Sequence, residues 1–235
     1  MALPKLNTPT YELELPSTGE TLKYRPFLVK EQKLLLMAQE TGEEEDIARA
    51  MGNLVHSCTF GKIDSENAAL FDVEYLFLRI RGKSVGEKVD LKLLCPDDNE
   101  TFINKTINLE EIGVNMKVGH TNEVEITDKV KMTLNYPTLN DVVDMGQDMD
   151  SSEDVFKMIK RCVHEIHDGD KVYNKVDISD SELEEFIDSL TSDQFEGITN
   201  FFDTMPKVQH SVEVTNSKTK KQGEGVIEGI QSFFV

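Results

Sequence analysis

Cysteine and histidine are the residue types here most suited to metal or nucleophilic chemistry, and only one stretch of the chain gathers them. Cys162, His164, His167 and Asp168 lie within seven residues. On a helix, His164 would share a face with His167 at i, i+3 and with Asp168 at i, i+4, the spacing with which neighbouring turns offer two ligands to one divalent cation. A closed site needs four ligands, and no second Cys or His group supplies the rest. The plainer reading is a core-facing Cys162 and a helix C-terminus whose dipole favours the imidazoles. A second candidate, Cys95-Pro-Asp-Asp98, has the turn chemistry of a zinc knuckle, but Asp98 stands where the second thiolate belongs. The later tip Asn216 to Lys221 has no Cys, so both read as plain turns. The nucleophile elbow, the phosphate-binding loop, the HExxH zinc motif and the dinucleotide fingerprint are all absent from the sequence. The expectation is no enzyme: no catalytic residue, no metal, no cofactor and no small-molecule substrate.

The elements that would position these residues follow from the patterning. Tyr11 to Leu15 and Thr21 to Tyr24 alternate apolar and polar residues around Pro16-Ser-Thr-Gly19, which predicts a hairpin. From Val29 the period changes, and Leu34, Leu35, Met37 and Ala38 fall on one helical face that ends at Thr41-Gly42. A second helix is expected from Glu43 to Cys58, with four acids in its first turn, and a third from Asp64 or Ser65 to Gly82. Val89 to Leu93 and Thr101 to Leu109 predict a second hairpin.

The same order recurs further along. Glu123 to Ile126 echoes Glu12 to Leu15, 111 residues apart, and Thr133 to Tyr136 echoes Thr21 to Tyr24, 112 apart. Glu153-Asp154, Val163-His164 and Gly169 match Glu45-Asp46, Val55-His56 and Gly61, all 108 apart. Helices are expected in SDSELEEFIDSL and SDQFEGITNFFD, and a closing hairpin from Val208 to Val214 and Val226 to Phe234. The sequence therefore predicts an α+β fold built from two diverged copies of a hairpin–helices–hairpin unit in pseudo-twofold arrangement, with domains at 1–118 and 119–235.

The chain has 235 residues, enough for two cores, with 44 acidic against 25 basic residues and a net charge of −19. Such a charge is repelled by phosphate backbones and anionic lipid, so neither nucleic acid nor membrane is expected as a partner. From Leu139 to Met205 there are 18 acidic and 5 basic residues, which reads as a solvated face or as the complement of a basic partner. No apolar run approaches the roughly 20 residues of a membrane span. Three scattered cysteines fit thiols kept reduced in a cytosol, and MALPKLNTPTYELEL lacks the pattern of a secretory signal.

The stretch TLKYRPFLVKEQKLLLMAQE, the CPDD hairpin and the ending GVIEGIQSFFV resemble the baseplate hub proteins of T-even-type contractile-tailed phages, including the hub assembly proteins, over essentially the whole chain. The resemblance implies a non-enzymatic component or assembly factor of the baseplate hub, made in the host cytoplasm, incorporated in the tail baseplate or released from it. Its partners would be other hub or tail proteins. Ile230, Phe233 and Phe234 are the candidate partner contacts, and the two Phe residues serve equally well as a core plug. Two other readings stay open: an acidic regulatory or metal-binding protein using Cys162, His164 and His167, and a DNA-mimic inhibitor.

Overall fold

The computed structural model describes residues 6–145 and 151–229. Along the chain the elements are β1 (Tyr11–Glu14), β2 (Thr21–Tyr24), α1 (Val29–Thr41), α2 (Glu44–Cys58), α3 (Leu70–Val85), β3 (Lys88–Leu94), β4 (Phe102–Asn108) and β5 (Gly113–Asn115). There follow β6 (Glu123–Glu125), β7 (Val130–Leu134), α4 (Leu139–Met145), α5 (Ser152–Cys162), β8 (Val163–Asp168) and β9 (Lys171–Asn174). The last are α6 (Asp180–Asp188), α7 (Ser192–Thr204), β10 (Lys207–Thr215) and β11 (Gln222–Glu228). The mixture of helix and antiparallel strand is α+β, as the patterning predicts.

The chain divides into two compact units, one of residues up to Asn115 together with those from Lys207 onward, the other of Met116–Pro206. The hairpin β10–β11 belongs with the first unit, whereas the expected domains 1–118 and 119–235 place it in the second. The element order of 119–235 also contains an additional hairpin, β8–β9, that has no counterpart among the described residues of 1–118.

In the first unit, α3 is apolar around most of its circumference and is buried accordingly: Val73, Leu76, Phe77, Leu78 and Ile80 are all at most 1% exposed. Each such side chain contributes about 1.5–3 kcal/mol of transfer free energy. Arg79 on the same helix donates to the carbonyls of Leu109 (2.7 Å) and Ile112 (2.6 Å), which fixes the chain between β4 and β5. α3 starts at Leu70 and not at Asp64 or Ser65, because Asp64 spends its carboxylate on a turn of its own, accepting from the Asn67 amide at 2.7 Å and the Glu66 backbone N–H at 3.3 Å. β3 and β4 pair antiparallel from Lys88↔Asn108 to Leu94↔Phe102, while β10 pairs with both β11 and β5.

In the second unit the strands form an antiparallel sheet in the order β6-β7-β8-β9. Met132, Leu134, Ile159, Leu183, Ile198 and Phe201 are at the centre of its core. Gly197 lets α7 approach β6 closely, since a Cβ there would stand 3.0 Å from Val124 Cγ1.

Each unit contains the same local docking. In the first, the Arg25 N–H at the end of β2 donates to the carbonyl of Cys58 at the end of α2 (3.0 Å); in the second, Asn135 N–H at the end of β7 donates to the carbonyl of Cys162 at the end of α5 (2.7 Å).

Candidate functional site

Of the metal-like cluster only Cys162 lies on a helix, at the end of α5. Val163–Asp168 is strand β8, and the pairing with β7 runs Thr133↔Glu165 but Leu134↔Val163, so His164 is the extra residue of a β-bulge. The bulge shifts the alternation by one and turns both Val163 and Ile166 into the core. Cys162 is buried, with its thiol pushed up to about 12 by burial, and His164 is exposed beside Asn135. His167 pairs through Nε2 with Glu165 Oε1 at 2.8 Å. Among the described residues, no group of three or more Cys, His, Asp and Glu side chains is placed to hold a metal. Cys58 and Cys95 are buried as well; burial pushes the Cys58 thiol up to about 11 and raises that of Cys95. Raised thiols of this kind are poor nucleophiles.

The Cys95 and Asn216 tips are not independent turns. Both have the same backbone: Asn99 N–H donates to Cys95 O and Lys220 N–H to Asn216 O, each at 3.0 Å, and Asn99 and Lys220 have φ of 50° and 62°. The two tips are clasped together across 118 residues of sequence. Asn216 Nδ2 donates to Asp97 Oδ1 (2.7 Å) and Asp98 Oδ2 (2.8 Å), and Thr219 Oγ1 donates to Asp97 Oδ2 (2.5 Å). The Asn216 side-chain oxygen accepts from the Lys218 and Thr219 N–H groups at 2.8 and 3.1 Å, so this residue, 1% exposed, has both ends satisfied. The Thr101 hydroxyl and N–H, together with Asn216, hold the Asp98 carboxyl far below the usual carboxylate range, while Thr219 and Asn216 lower that of Asp97. Gly223 is needed nearby because a Cβ would stand 3.0 Å from Pro96 Cγ. Each tip alone carries only a turn signal, so the clasp has no local signature in the sequence.

Among the described residues the open surfaces with apolar side chains include one on α1 and one beside α6. On α1 only Glu31 and Ala38 are buried, leaving Val29 at 80%, Leu34 at 60%, Met37 at 53% and Leu36 at 51% exposure. Leu34 and Met37 border a groove of about 380 Å³ between α1 and α2 whose lining includes Asp46 and Arg49. The helix is held by its N-terminus: Glu31 Oε2 accepts from the Leu28 N–H at 2.6 Å and Oε1 from Arg25 Nη2 at 3.0 Å. Burial works against the charge on Glu31, but these two partners outweigh it and its pKa is lowered. The expected helical face is present, yet only part of it turns inward. An unbroken run from Leu34 to Ala38 covers more of the circumference than one neighbour can bury. The second open surface is a cleft of about 370 Å³ in the second unit, between the β8–β9 edge of the sheet and α6. The sequence-predicted contacts Ile230, Phe233 and Phe234 lie outside the described residues.

The chain thus presents two α+β units with buried thiols, a polar clasp and open apolar surfaces. Against this background one comparison identifies its family: residues 8–235 match the family model described as T4 bacteriophage base plate protein, and the chain belongs to that family. No curated protein and no solved structure matches it. Family membership associates the chain with the phage tail baseplate and with other baseplate proteins. Among the described residues no helix is long and apolar enough to cross a membrane.

Proposed function

We propose that this baseplate protein is a component or assembly factor of the baseplate hub and acts through protein–protein contacts, without catalysis, nucleic acid, membrane or small-molecule substrate. The observation that carries this reading is α1. Val29, Leu34, Leu36 and Met37 leave an apolar helical surface in water beside a groove, which is how a partner-binding face differs from a finished core. Assembly in the host cytoplasm agrees with three buried, unpaired thiols. Ile230, Phe233 and Phe234 are proposed as a further contact, and removal of Gly229 to Val235 is expected to stop hub assembly. Descent from a duplicated unit belongs to the same reading, supported by the two matched Cys-carbonyl dockings and the two matched hairpin tips. The metal-binding alternative has lost the helix that its i, i+3 spacing required, because His164 and His167 lie on strand β8.

The test is a phage carrying Leu34→Ser with Met37→Ser. Both side chains are more than half exposed, so the protein should fold normally while hub assembly fails. Normal tails from this variant, with the polypeptide absent by mass spectrometry from both mature tails and baseplate intermediates of the parent phage, would refute the proposal. Its presence in mature tails makes it a hub subunit, and presence only in intermediates makes it an assembly factor.

A further inference from the structure

The outward side of α1 has a helical spacing of its own. Val29, Lys33, Leu36, Met37 and Glu40 fall at i, i+4, i+7, i+8 and i+11, opposite the buried Glu31 and Ala38, and all five are exposed. Leu36 and Met37 are the middle of this face. Lys33 stands three residues before Leu36 and Glu40 three residues after Met37, so the face is basic on one side of its apolar middle and acidic on the other.

Neither charge is answered within the chain: Lys33 and Glu40 make no ion pair among the described residues. Glu40 also lies in the last turn of α1, where the helix dipole disfavours an anion and no basic residue offsets it. A charge order that the isolated helix does not favour, set symmetrically about an apolar middle, is its own complement when read backwards. A second α1 running antiparallel brings its Glu40 to Lys33 and its Lys33 to Glu40, lays Leu36 against Met37 and opposes the two helix dipoles. Such a contact is isologous and closes as a dimer.

We propose that the outward face of α1 binds the same face of a second copy of this chain, antiparallel, with Leu36 and Met37 about the twofold axis and a Lys33–Glu40 ion pair on either side of it. The inference rests on the contact role proposed above and names the partner of α1. One helix pair is a small interface, so the dimer belongs to the weak, reversible class.

The test is sedimentation equilibrium of the full-length protein from micromolar to near-millimolar concentration. Salt is set at about 0.15 M, where a screening length of about 8 Å removes most of the long-range repulsion between two chains of charge −19 but spares pairs in contact. The mass should rise from 26.6 kDa toward twice that value. Lys33→Glu alone, or Glu40→Lys alone, turns both symmetry-related pairs repulsive and should weaken the dimer about tenfold. Lys33→Glu with Glu40→Lys in one chain should restore it, and a mixture of the two single variants should form a heterodimer tighter than either homodimer. Leu36→Ser should also weaken it, with the far-UV circular dichroism of every variant unchanged. A monomer at all concentrations overturns the inference, as does a dimer indifferent to Leu36→Ser or to the charge variants, or a loss of the dimer that the double exchange does not restore. The Leu34→Ser, Met37→Ser phage separates the two claims: if it fails to assemble hubs while the parent protein is a monomer, the inference fails and the contact role stands with another partner. A dimer that follows the charge exchange while that phage builds normal tails supports the inference and counts against the role of α1 in assembly.

Discussion

Replacing Asn216 by Ala tests the clasp between the two hairpin tips. The side chain makes four hydrogen bonds, two as donor to Asp97 and Asp98 and two as acceptor from the Lys218 and Thr219 N–H groups. Water replaces most of what the two carboxylates lose, so those bonds add only a small part, and that part depends on the carboxylates being ionised. The two backbone N–H groups lose their acceptor, at about 1 kcal/mol net for each bond, and the expected loss is about 2 kcal/mol. For a chain of this size each kcal/mol lowers Tm by roughly 2–4 °C, so Asn216→Ala should melt about 4–8 °C below the parent. The assay is differential scanning calorimetry at pH 7, followed down to pH 3. Because Asp97 and Asp98 have lowered pKa values in the folded protein, their contribution is complete above the unfolded value of about 3.9 and fades as pH falls below it. The gap between variant and parent should therefore shrink below about pH 4. A Tm drop under 2 °C at pH 7, or a gap that widens in acid, would refute the assignment of Asn216 as the centre of the clasp.

Two further expectations follow from buried ionisable groups. None of the three thiols should react with an aromatic disulfide reagent within minutes at pH 8, and all three should react in guanidinium, because burial holds Cys58 at about 11 and Cys162 at about 12 and raises Cys95; fast reaction of any one in the native protein would contradict the packing. Burial raises the pKa of Asp72 despite the Ser17 N–H at 3.1 Å, so its protonated form favours folding, with a contribution complete below about pH 3.9 and lost as pH rises through the folded value. Asp72→Asn should accordingly gain stability relative to the parent between pH 4 and 7 by urea unfolding, and a constant difference across that range would show the carboxyl to be solvated.

How much of this was legible in the sequence depends on how local each signal is. The first hairpin, α1 and α2 begin and end within a residue or two of where alternation, the Thr41-Gly42 stop and the acidic first turn put them, because those signals act through neighbours in the chain. β8 is a strand where the spacing of His164, His167 and Asp168 predicts a helix face, and its bulge at His164 brings Val163 and Ile166, three apart, to the same core, so over this stretch strand and helix share a spacing of three. α3 starts later than the expected cap at Asp64 or Ser65, since an Asp that closes its own turn and an Asp that caps a helix have the same one-residue signature.

The clasp shows the limit of such reading and bears on the duplication proposed above. Each tip predicts only a turn, and nothing in Cys95-Pro-Asp-Asp98 states that its carboxylates will be met by Asn216 and Thr219. Yet the two tips have one backbone geometry, and in the first unit they face each other as complementary versions of it, one supplying acceptors and the other donors. If both descend from one hairpin, identical tips could not have served, since two acidic tips would repel and two Asn-Thr tips would leave a buried Asn without its carboxylate partners. On that proposal, divergence at Asp97, Asp98, Asn216 and Thr219 is what allows the late hairpin β10–β11 to close the first unit, where a repeat boundary at 118/119 would put it in the second.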